Sequence, residues 1–220
     1  MKTILFVCTG NTCRSPLAEA VLRKRAEEHG LGVEVKSAGM HGMPGMGMSQ
    51  GSRNALDEKN IPHSHKSNTV SGELLNWADL VLTMTQDHKR RIIEQFPQMS
   101  KSVYTLKEFA YDSPENREKK QKLDREAAEL EMKRVRFTND NRDKVEEYNS
   151  NGDVAGQQEL ERELLEEIRP HREEIDRILE DYPTVDVADP FGGSDEVYRQ
   201  TLSEIEEAVD RLVERLKQSR

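Results

Sequence analysis

Short apolar runs alternate with amphipathic stretches through the first half of the chain. The run from Thr3 to Val7 is apolar, β-branched and aromatic, which predicts a buried strand, and the helical spacing of apolar residues after Ser15-Pro16 predicts a helix. Ser15 before Pro16 is typical of an N-cap followed by proline at the first helical position. The same patterns predict further elements, at Val33 to Lys36 (strand), Arg53 to Lys59 (helix), Leu80 to Met84 (strand), Asp87 to Phe96 (helix) and Val103 to Leu106 (strand).

Strands that alternate with helices at these spacings predict an α/β fold. We expect a three-layer domain in which a central, mostly parallel four-stranded sheet is flanked by helices on both faces. Ligands of such sheets bind beyond the carboxyl ends of the strands. Cys8 directly follows the first predicted strand, so it lies where a site is expected.

Charged residues dominate the stretch from residue 113 to residue 183, where apolar positions become sparse. Two thin apolar stripes at steps of three and four predict an α-helical hairpin or coiled coil there. Pro170 falls in the second stripe and is expected to kink the helix or restart it. A last amphipathic helix is predicted from Asp195 to Lys217. The sequence therefore predicts one domain formed by residues 1–112 and 184–220, interrupted by an inserted charged helical arm, residues 113–183.

Composition and charge narrow the classes of function. The 220 residues include 33 basic and 42 acidic side chains, a net charge of -9, which argues against binding to nucleic acid or anionic lipid. The first apolar run is too short for a signal core or a membrane span, and no later segment does better. Only two cysteines occur, so no disulfide framework is expected. We expect a cytoplasmic protein in a reducing compartment, without nucleic-acid or membrane partners.

The loop after the first strand carries the chemistry. A lone cysteine after a strand is most often a small buried apolar residue. Here, however, the strand-to-helix turn lets successive backbone N–H groups point into one concavity beside a helix N-terminus. This arrangement is typical of a site for a tetrahedral dianion. Arg14 can donate twice to phosphoryl oxygens and stabilise the transition state. The same surroundings favour the thiolate of Cys8, the predicted nucleophile. The predicted phosphate-binding residues are Thr9, Gly10, Asn11, Thr12, Cys13 and Ser15.

If the Cys8 loop removes phosphoryl groups from a substrate, the reaction also needs a carboxylic acid. Attack by the cysteine leaves a thiophosphoryl enzyme, and a carboxyl group must protonate the leaving atom and then activate water. Asp189 is the predicted general acid, because Pro190 stiffens its loop and two glycines after Phe191 permit an abrupt turn. An Asp-Pro pair is by itself more often a turn, so the assignment depends on the combination with Cys8 and Arg14.

These residues together resemble a known family. Val7 to Pro16, Ser37-Ala38-Gly39, Ala78 to Met84 and Asp189 to Gly193 are similar to motifs of the low-molecular-weight protein tyrosine phosphatases, most of all the bacterial protein-arginine-phosphatase branch. The resemblance extends over residues 1 to 111 and 184 to 220 and leaves out the insert. It implies the same roles for Cys8, Arg14 and Asp189 and no cofactor or metal.

The resemblance also implies supporting roles. Asn11 would fix the loop, Ser15 would donate a hydrogen bond to the thiolate, and His65 would brace the loop from a neighbouring turn. Cys13 would pair with Cys8 on oxidation, a reversible switch that protects the nucleophile. Neither the His63-Ser64-His65 segment nor any other histidine has a partner at metal-ligand spacing.

The expected substrates are phosphorylated proteins. Threonine at position 12 marks the arginine-phosphatase branch of the family, whereas tyrosine-specific members tend to carry a larger aliphatic residue, so phosphoarginine is preferred to phosphotyrosine. Phe191 is expected to form a wall of the specificity pocket against a ring or a guanidinium plane. Met40, at the start of a loop rich in glycine and methionine, is either a second wall or ordinary flexible packing.

Other functions remain as alternatives. An arsenate reductase of the same fold would need further cysteines, and none follows Cys13. A phosphate-binding module without catalysis, acting through the insert, is disfavoured by the complete set of Cys8, Arg14 and Asp189. The insert itself could serve self-association, recruit a protein partner, or be a hairpin that packs only on itself.

Overall fold

The computed structural model describes residues 2–218, in which a parallel four-stranded sheet forms the centre. The strands lie in the order β2-β1-β3-β4. Their bounds differ from the predicted ones by only a few residues, so the predicted α/β fold is confirmed. They are β1 (Thr3–Cys8), β2 (Glu34–Gly39), β3 (Leu80–Thr83) and β4 (Val103–Thr105).

Nine α-helices accompany the sheet among residues 2–218, together with a short 3-10 helix at Pro97–Met99. Six belong to the α/β part of the chain and three to the insert. In chain order they are α1 (Arg14–Glu28), α2 (Gln50–Glu58), α3 (Gly72–Trp77), α4 (Gln86–Gln95), α5 (Leu106–Ala110), α6 (Pro114–Asp140), α7 (Arg142–Asn151), α8 (Val154–Asp181) and α9 (Asp195–Gln218).

Alternate residues of β1 enter two separate apolar clusters, which makes the domain three-layered. Ile4 and Phe6 pack with buried residues of α1, α2 and α9 on one face of the sheet. Leu5 and Val7 pack with buried residues of α3 and α4 on the other face. Because β1 is central and covered on both sides, all four of these side chains are fully buried.

The shortest helices escaped the sequence analysis because they are too short to show a helical period. α3 and α5 span 6 and 5 residues. Each begins with a side-chain cap: Ser71 accepts the backbone N–H of Leu74, and Thr105 forms a reciprocal capping box with Glu108. Cap residues without a following periodic stripe are hard to distinguish from an ordinary turn.

The chain divides into two compact units: the residues up to Asp112 together with those from Thr184 onward, and Ser113–Pro183. In the second unit α6 and α8 contact each other, and α7 ends at Asn151, followed by Gly152, whose backbone is left-handed with φ of 71°. Of the two expectations for Pro170, a restart of the helix is wrong, because α8 continues through it, and a kink stays a prediction. Ile168 and Ile178 remain buried on either side of the proline, and this burial offsets the hydrogen bond that proline cannot make.

Most of the helix surface is polar, with single exposed apolar side chains such as Met132 and Leu179. Within residues 2–218, none of the helices combines the length and the apolar character that a bilayer crossing requires.

Candidate active site

The loop that follows β1 surrounds the sulfur of Cys8. Cys8 is the last residue of β1, and α1 begins at Arg14, so residues 9 to 13 form the turn between them. The backbone N–H of Asn11 donates to Sγ of Cys8 at 3.3 Å, and Oγ of Ser15 lies 3.0 Å from the same sulfur. Donors at these positions stabilise negative charge on sulfur, which a nucleophilic thiolate needs.

Asn11 holds this turn in place from three directions. Its backbone has φ of 56°, a left-handed conformation that asparagine tolerates better than most residues. Its buried side-chain amide donates to Oγ of Ser15 at 2.9 Å and to Oγ of Ser37 at 2.8 Å. Its Oδ1 accepts the backbone N–H of Asn68 at 2.8 Å. The loop is therefore fixed to α1, to β2 and to the segment before α3.

A second layer of residues supports the backbone of the loop. His65 donates from Nε2 to the carbonyl oxygen of Asn11 at 2.7 Å, which confirms the predicted bracing contact. Oγ of Ser67 donates to the carbonyl oxygen of Gly10 at 3.2 Å. Gly39 ends β2 directly beneath the loop, where a Cβ atom would lie 2.7 Å from the carbonyl oxygen of Thr9. Only glycine lets the loop approach the sheet this closely.

Ser15 does not cap α1, contrary to the prediction. The helix begins two residues earlier than predicted, at Arg14, with Cys13 at the N-cap position and no side-chain cap. The hydroxyl of Ser15 is instead occupied by Sγ of Cys8 and the amide of Asn11. A serine before proline carries a cap signal in the sequence, but here the contacts inside the loop take the same hydroxyl.

Arg14 and Asp189 meet at the edge of this loop although 175 residues separate them. Nη2 of Arg14 donates to Oδ2 of Asp189 at 2.7 Å, and Nη1 donates to the carbonyl oxygen of Val187 at 3.3 Å. The guanidinium is 6% exposed, whereas the carboxylate of Asp189 is 49% exposed. The buried cation is thereby fixed, and the carboxylate remains accessible to a substrate.

The segment that carries Asp189 is attached to the end of β3. The backbone N–H of Val187 donates to the carbonyl oxygen of Met84 at 2.8 Å, and the carboxylate of Asp186 accepts the backbone N–H of Gln86 at 2.8 Å. Oδ1 of Asp189 accepts the backbone N–H of Phe191 at 3.2 Å. These bonds fix the position of the Asp189 carboxylate, and a fixed position is what a general acid requires.

Comparison with known proteins identifies the family. A model of the family described as low molecular weight phosphotyrosine protein phosphatase matches residues 3–124. The protein-arginine-phosphatase of Bacillus subtilis (strain 168) is 33% identical over 217 residues, covering 99% of this chain and 98% of the relative. The chain belongs to this family. It is a protein phosphatase.

Solved structures agree with this assignment. The YwlE arginine phosphatase from Geobacillus stearothermophilus is 32% identical with a TM-score of 0.63, covering 100% of this chain and 95% of that chain. A cysteine-to-serine variant of YwlE arginine phosphatase, described as having a phosphorylated active-site serine, is 31% identical with a TM-score of 0.65, covering 99% of this chain and 97% of that chain.

The predicted specificity residues of the phosphatase have different surroundings. Thr12 is half-buried in the loop, with Oγ1 3.7 Å from Sγ of Cys13. Phe191 is 80% exposed, so its ring is open to a substrate. Met40 is half-buried, and its side chain packs against the apolar cluster that contains Leu5 and Val7. This contact fits flexible packing, and the role of Met40 as a second wall stays a prediction.

Cys13 faces a different set of groups from Cys8. Both cysteines of the phosphatase are reduced and buried. Sγ of Cys13 lies 3.4 Å from Oγ of Ser49 and 3.6 Å from the hydroxyl of Tyr198 on α9. Burial raises the pKa of the Tyr198 phenol, so this hydroxyl remains protonated beside the thiol.

His88 is the site residue that the sequence analysis missed. It lies in the first turn of α4, is buried, and approaches Oγ1 of Thr9 with Nε2 at 2.9 Å. The available signal was a polar cluster, Thr85 to His88, directly after a buried strand. Since only the packing of α4 against the loop reveals the contact with Thr9, the sequence could not distinguish this histidine from a surface residue.

Proposed function

We propose that this phosphatase hydrolyses phosphoarginine in proteins, with Cys8 as nucleophile, Arg14 as phosphate ligand and Asp189 as general acid. The arrangement of these three residues around one loop carries the proposal. The donors to the sulfur of Cys8, the ion pair of Arg14 with Asp189 and the attachment of the acid segment to β3 all support it.

The proposed reaction has two steps. In the first, the thiolate of Cys8 attacks phosphorus, the S–P bond forms as the P–N bond to the arginine breaks, and Asp189 gives its proton to the leaving nitrogen. In the second, the carboxylate takes a proton from water, the water oxygen attacks phosphorus and the S–P bond breaks. Inorganic phosphate leaves, and the thiolate and the protonated acid are restored.

The loop residues stabilise charge during both steps. Backbone N–H groups of residues 9 to 14 and the guanidinium of Arg14 bind the phosphoryl oxygens. Arg14 pairs with Asp189 in the structure, so an incoming phosphoryl group competes with the carboxylate for the guanidinium.

The choice of phosphoarginine depends on Thr12 and on the relatives. Two similar proteins named as arginine phosphatases match this chain over nearly their whole length. A short hydroxyl side chain at Thr12 can accept a hydrogen bond from a guanidinium group and leaves little apolar surface for a flat ring. Phe191 is exposed and can stack on a guanidinium plane. Phosphotyrosine is the second candidate, because the family description names it.

Substitution of Thr12 tests the choice of substrate. We expect Thr12→Ile to lower the ratio of kcat/KM for phosphoarginine peptides to that for phosphotyrosine peptides by about tenfold or more. Thr12→Val keeps the shape of the side chain and removes only the hydroxyl, so it should produce most of the same change. Release of inorganic phosphate from matched peptides measures both ratios. If both variants keep the wild-type ratio, Thr12 does not select the substrate.

Cys13 is proposed as the partner of Cys8 in a redox switch. A peroxide would oxidise the thiolate of Cys8 to a sulfenic acid, and condensation with the thiol of Cys13 would release water and form a disulfide. Two reducing equivalents from cellular thiols would restore both cysteines, in keeping with a proposed cytoplasmic location.

We propose that residues 113–183 are an accessory arm and that the remaining residues form the catalytic domain. The residues that flank the arm are hydrogen-bonded to α9 and α5 within that domain. Arg215 donates to the carbonyl oxygen of Phe109 at 2.6 Å and to the carboxylate of Asp112 at 3.0 Å. Lys107 donates to Oγ1 of Thr184 at 3.1 Å. These bonds lie outside the arm and should remain when the arm is removed.

Deletion of residues 113–183 tests this division. With a short flexible linker between Asp112 and Thr184, we expect a folded protein whose kcat/KM for para-nitrophenyl phosphate stays within about threefold of the full chain, because closing such a loop costs little. Circular dichroism and steady-state kinetics measure the two properties. Loss of the fold would mean that the arm is part of the core, and lost activity on protein substrates alone would assign it to recruitment.

A further inference from the structure

His88 connects the start of α4 to the phosphate loop. Its Nδ1 atom lies 2.8 Å from Oγ1 of Thr85, and its Nε2 atom lies 2.9 Å from Oγ1 of Thr9. Nη2 of Arg14 donates to the same Thr9 oxygen at 3.4 Å, and its other hydrogen points to Asp189. A continuous series of hydrogen bonds therefore joins α4 to the guanidinium of Arg14.

The distances are compatible with either neutral tautomer of His88, and a donor role towards Thr9 requires the one with its hydrogen on Nε2. Oγ1 of Thr85 accepts the backbone N–H of His88 at 3.3 Å as the cap of α4 and can donate its own hydroxyl hydrogen to Nδ1. A neutral ring that accepts at Nδ1 carries its hydrogen on Nε2 and donates it to Thr9. Arg14 can only donate, so Oγ1 of Thr9 accepts two hydrogen bonds. Its own hydrogen remains available to another acceptor.

The ring of His88 stays neutral at the pH values at which a cytoplasmic enzyme works. Burial first, and the positive charge of Arg14 second, lower its pKa to about 4. Arg91 acts in the same direction, and the carboxylates of Asp87 and Asp189 oppose it. A charged ring would carry hydrogens on both nitrogens and could not accept a hydrogen bond from Thr85. Only the neutral ring can therefore accept the hydroxyl hydrogen of Thr85 at Nδ1.

We propose that His88 is a positioning residue for phosphoryl transfer. By donating to Thr9, it turns the Thr9 hydroxyl into a fixed donor to the phosphoryl group and keeps the threonine beside Arg14. Thr9 is exposed, so its hydroxyl is open to a ligand of the loop. This inference rests on the proposed phosphate-binding role of Arg14. A fixed donor stabilises the charge on the transferring phosphoryl oxygens most strongly in the transition state, so its loss should appear mainly in kcat.

A double-mutant cycle tests the proposal. With para-nitrophenyl phosphate, Thr9→Val and His88→Phe should each lower kcat by about 10- to 100-fold, with little change in KM. The double variant should lose no more than Thr9→Val alone, because His88 acts only through the hydroxyl that valine lacks. His88→Gln, which can again present an N–H to Thr9, should recover most of the lost kcat. His29→Gln, at an exposed position beyond α1, is the matched control and should have wild-type kinetics.

The tautomer of His88 gives a second measurement, which does not depend on how well His88→Phe folds. Nitrogen NMR of the histidine-labelled wild-type protein at neutral pH should show a neutral ring with its hydrogen on Nε2. The Nε2 signal should shift in Thr9→Val and stay unchanged in His29→Gln. A charged ring, or a hydrogen on Nδ1, would overturn the proposal.

The outcomes separate this inference from the proposed function. If the wild-type protein hydrolyses the aryl phosphate but the losses in the double variant are additive, the positioning role is wrong and the phosphatase mechanism is not affected. A folded His88→Phe protein with wild-type kcat leads to the same conclusion. If the wild-type protein hydrolyses neither para-nitrophenyl phosphate nor phosphoarginine peptides, the proposed function fails and the positioning role fails with it.

Discussion

Replacement of Cys8 by serine should lower hydrolysis of para-nitrophenyl phosphate by about 10⁴-fold or more, the scale seen when an essential nucleophile is removed. The serine hydroxyl has nearly the same shape as the thiol, but it is not ionised at neutral pH. The donors from Asn11 and Ser15 then face an uncharged oxygen, which is a far weaker nucleophile. Steady-state release of nitrophenolate measures the loss.

Two comparisons make this result specific. Cys13→Ser removes the other thiol of the same loop, and its loss of kcat/KM should be smaller by several orders of magnitude because Cys13 faces Ser49 and Tyr198. Tungstate, an analogue of the phosphoryl group, should still bind to the Cys8→Ser protein, since the backbone donors and Arg14 remain. Comparable losses in the two variants, or lost tungstate binding, would contradict the role of Cys8 as nucleophile.

The second large effect is expected at Asp189. Asp189→Asn should lower kcat by about 10² to 10⁴-fold for phosphoarginine or phosphotyrosine peptides, the usual range for a general acid. In the first step the loss should be much smaller for para-nitrophenyl phosphate, because nitrophenolate leaves without a proton. The second step, in which the carboxylate activates water, should be slowed for every substrate. Rapid-mixing measurement of the first-step rate across leaving groups of different basicity separates the two effects.

The ion pair with Arg14 predicts a second signature in the same variant. Asp189→Asn removes the carboxylate that competes for Nη2 of Arg14, so competitive inhibition by inorganic phosphate should become stronger. Asp186→Asn is the matched control: it removes a carboxylate from the same segment without touching Arg14. Equal losses in the first-step rate for good and poor leaving groups, with unchanged phosphate inhibition, would assign Asp189 a structural role.

Much of the fold could be predicted because the strands are short, apolar and separated by periodic helices. β1 is covered on both faces, so its sequence is apolar without interruption and gives an unambiguous signal. Arg14 and Asp189, predicted from the sequence to act at one site, also lie together in the structure. No local pattern connects residues so far apart in sequence, so the prediction of Asp189 depends on the need of the reaction for a carboxylic acid, and the resemblance to known motifs implies the same role.

The remaining features could not be predicted because they depend on tertiary contacts that no local sequence pattern shows. Ser15 carries a helix-cap signal, yet Cys8 and Asn11 occupy its hydroxyl. Pro170 carries a helix-break signal, yet buried neighbours keep α8 continuous. His88 carries no signal, because its contact with Thr9 exists only after α4 has packed beside the loop. In each case tertiary contacts decide the outcome.

The bonds from Arg215 to Asp112 and from Lys107 to Thr184 have a further consequence for evolution and engineering. They hold Asp112 and Thr184, the residues on either side of the arm, without using any residue of the arm. If the arm is accessory, as proposed, mutations in it would accumulate without disturbing Cys8 or Asp189, and its length would drift among descendants. The same junctions offer a place to graft a foreign domain, such as a sensor or an affinity module, onto a working phosphatase.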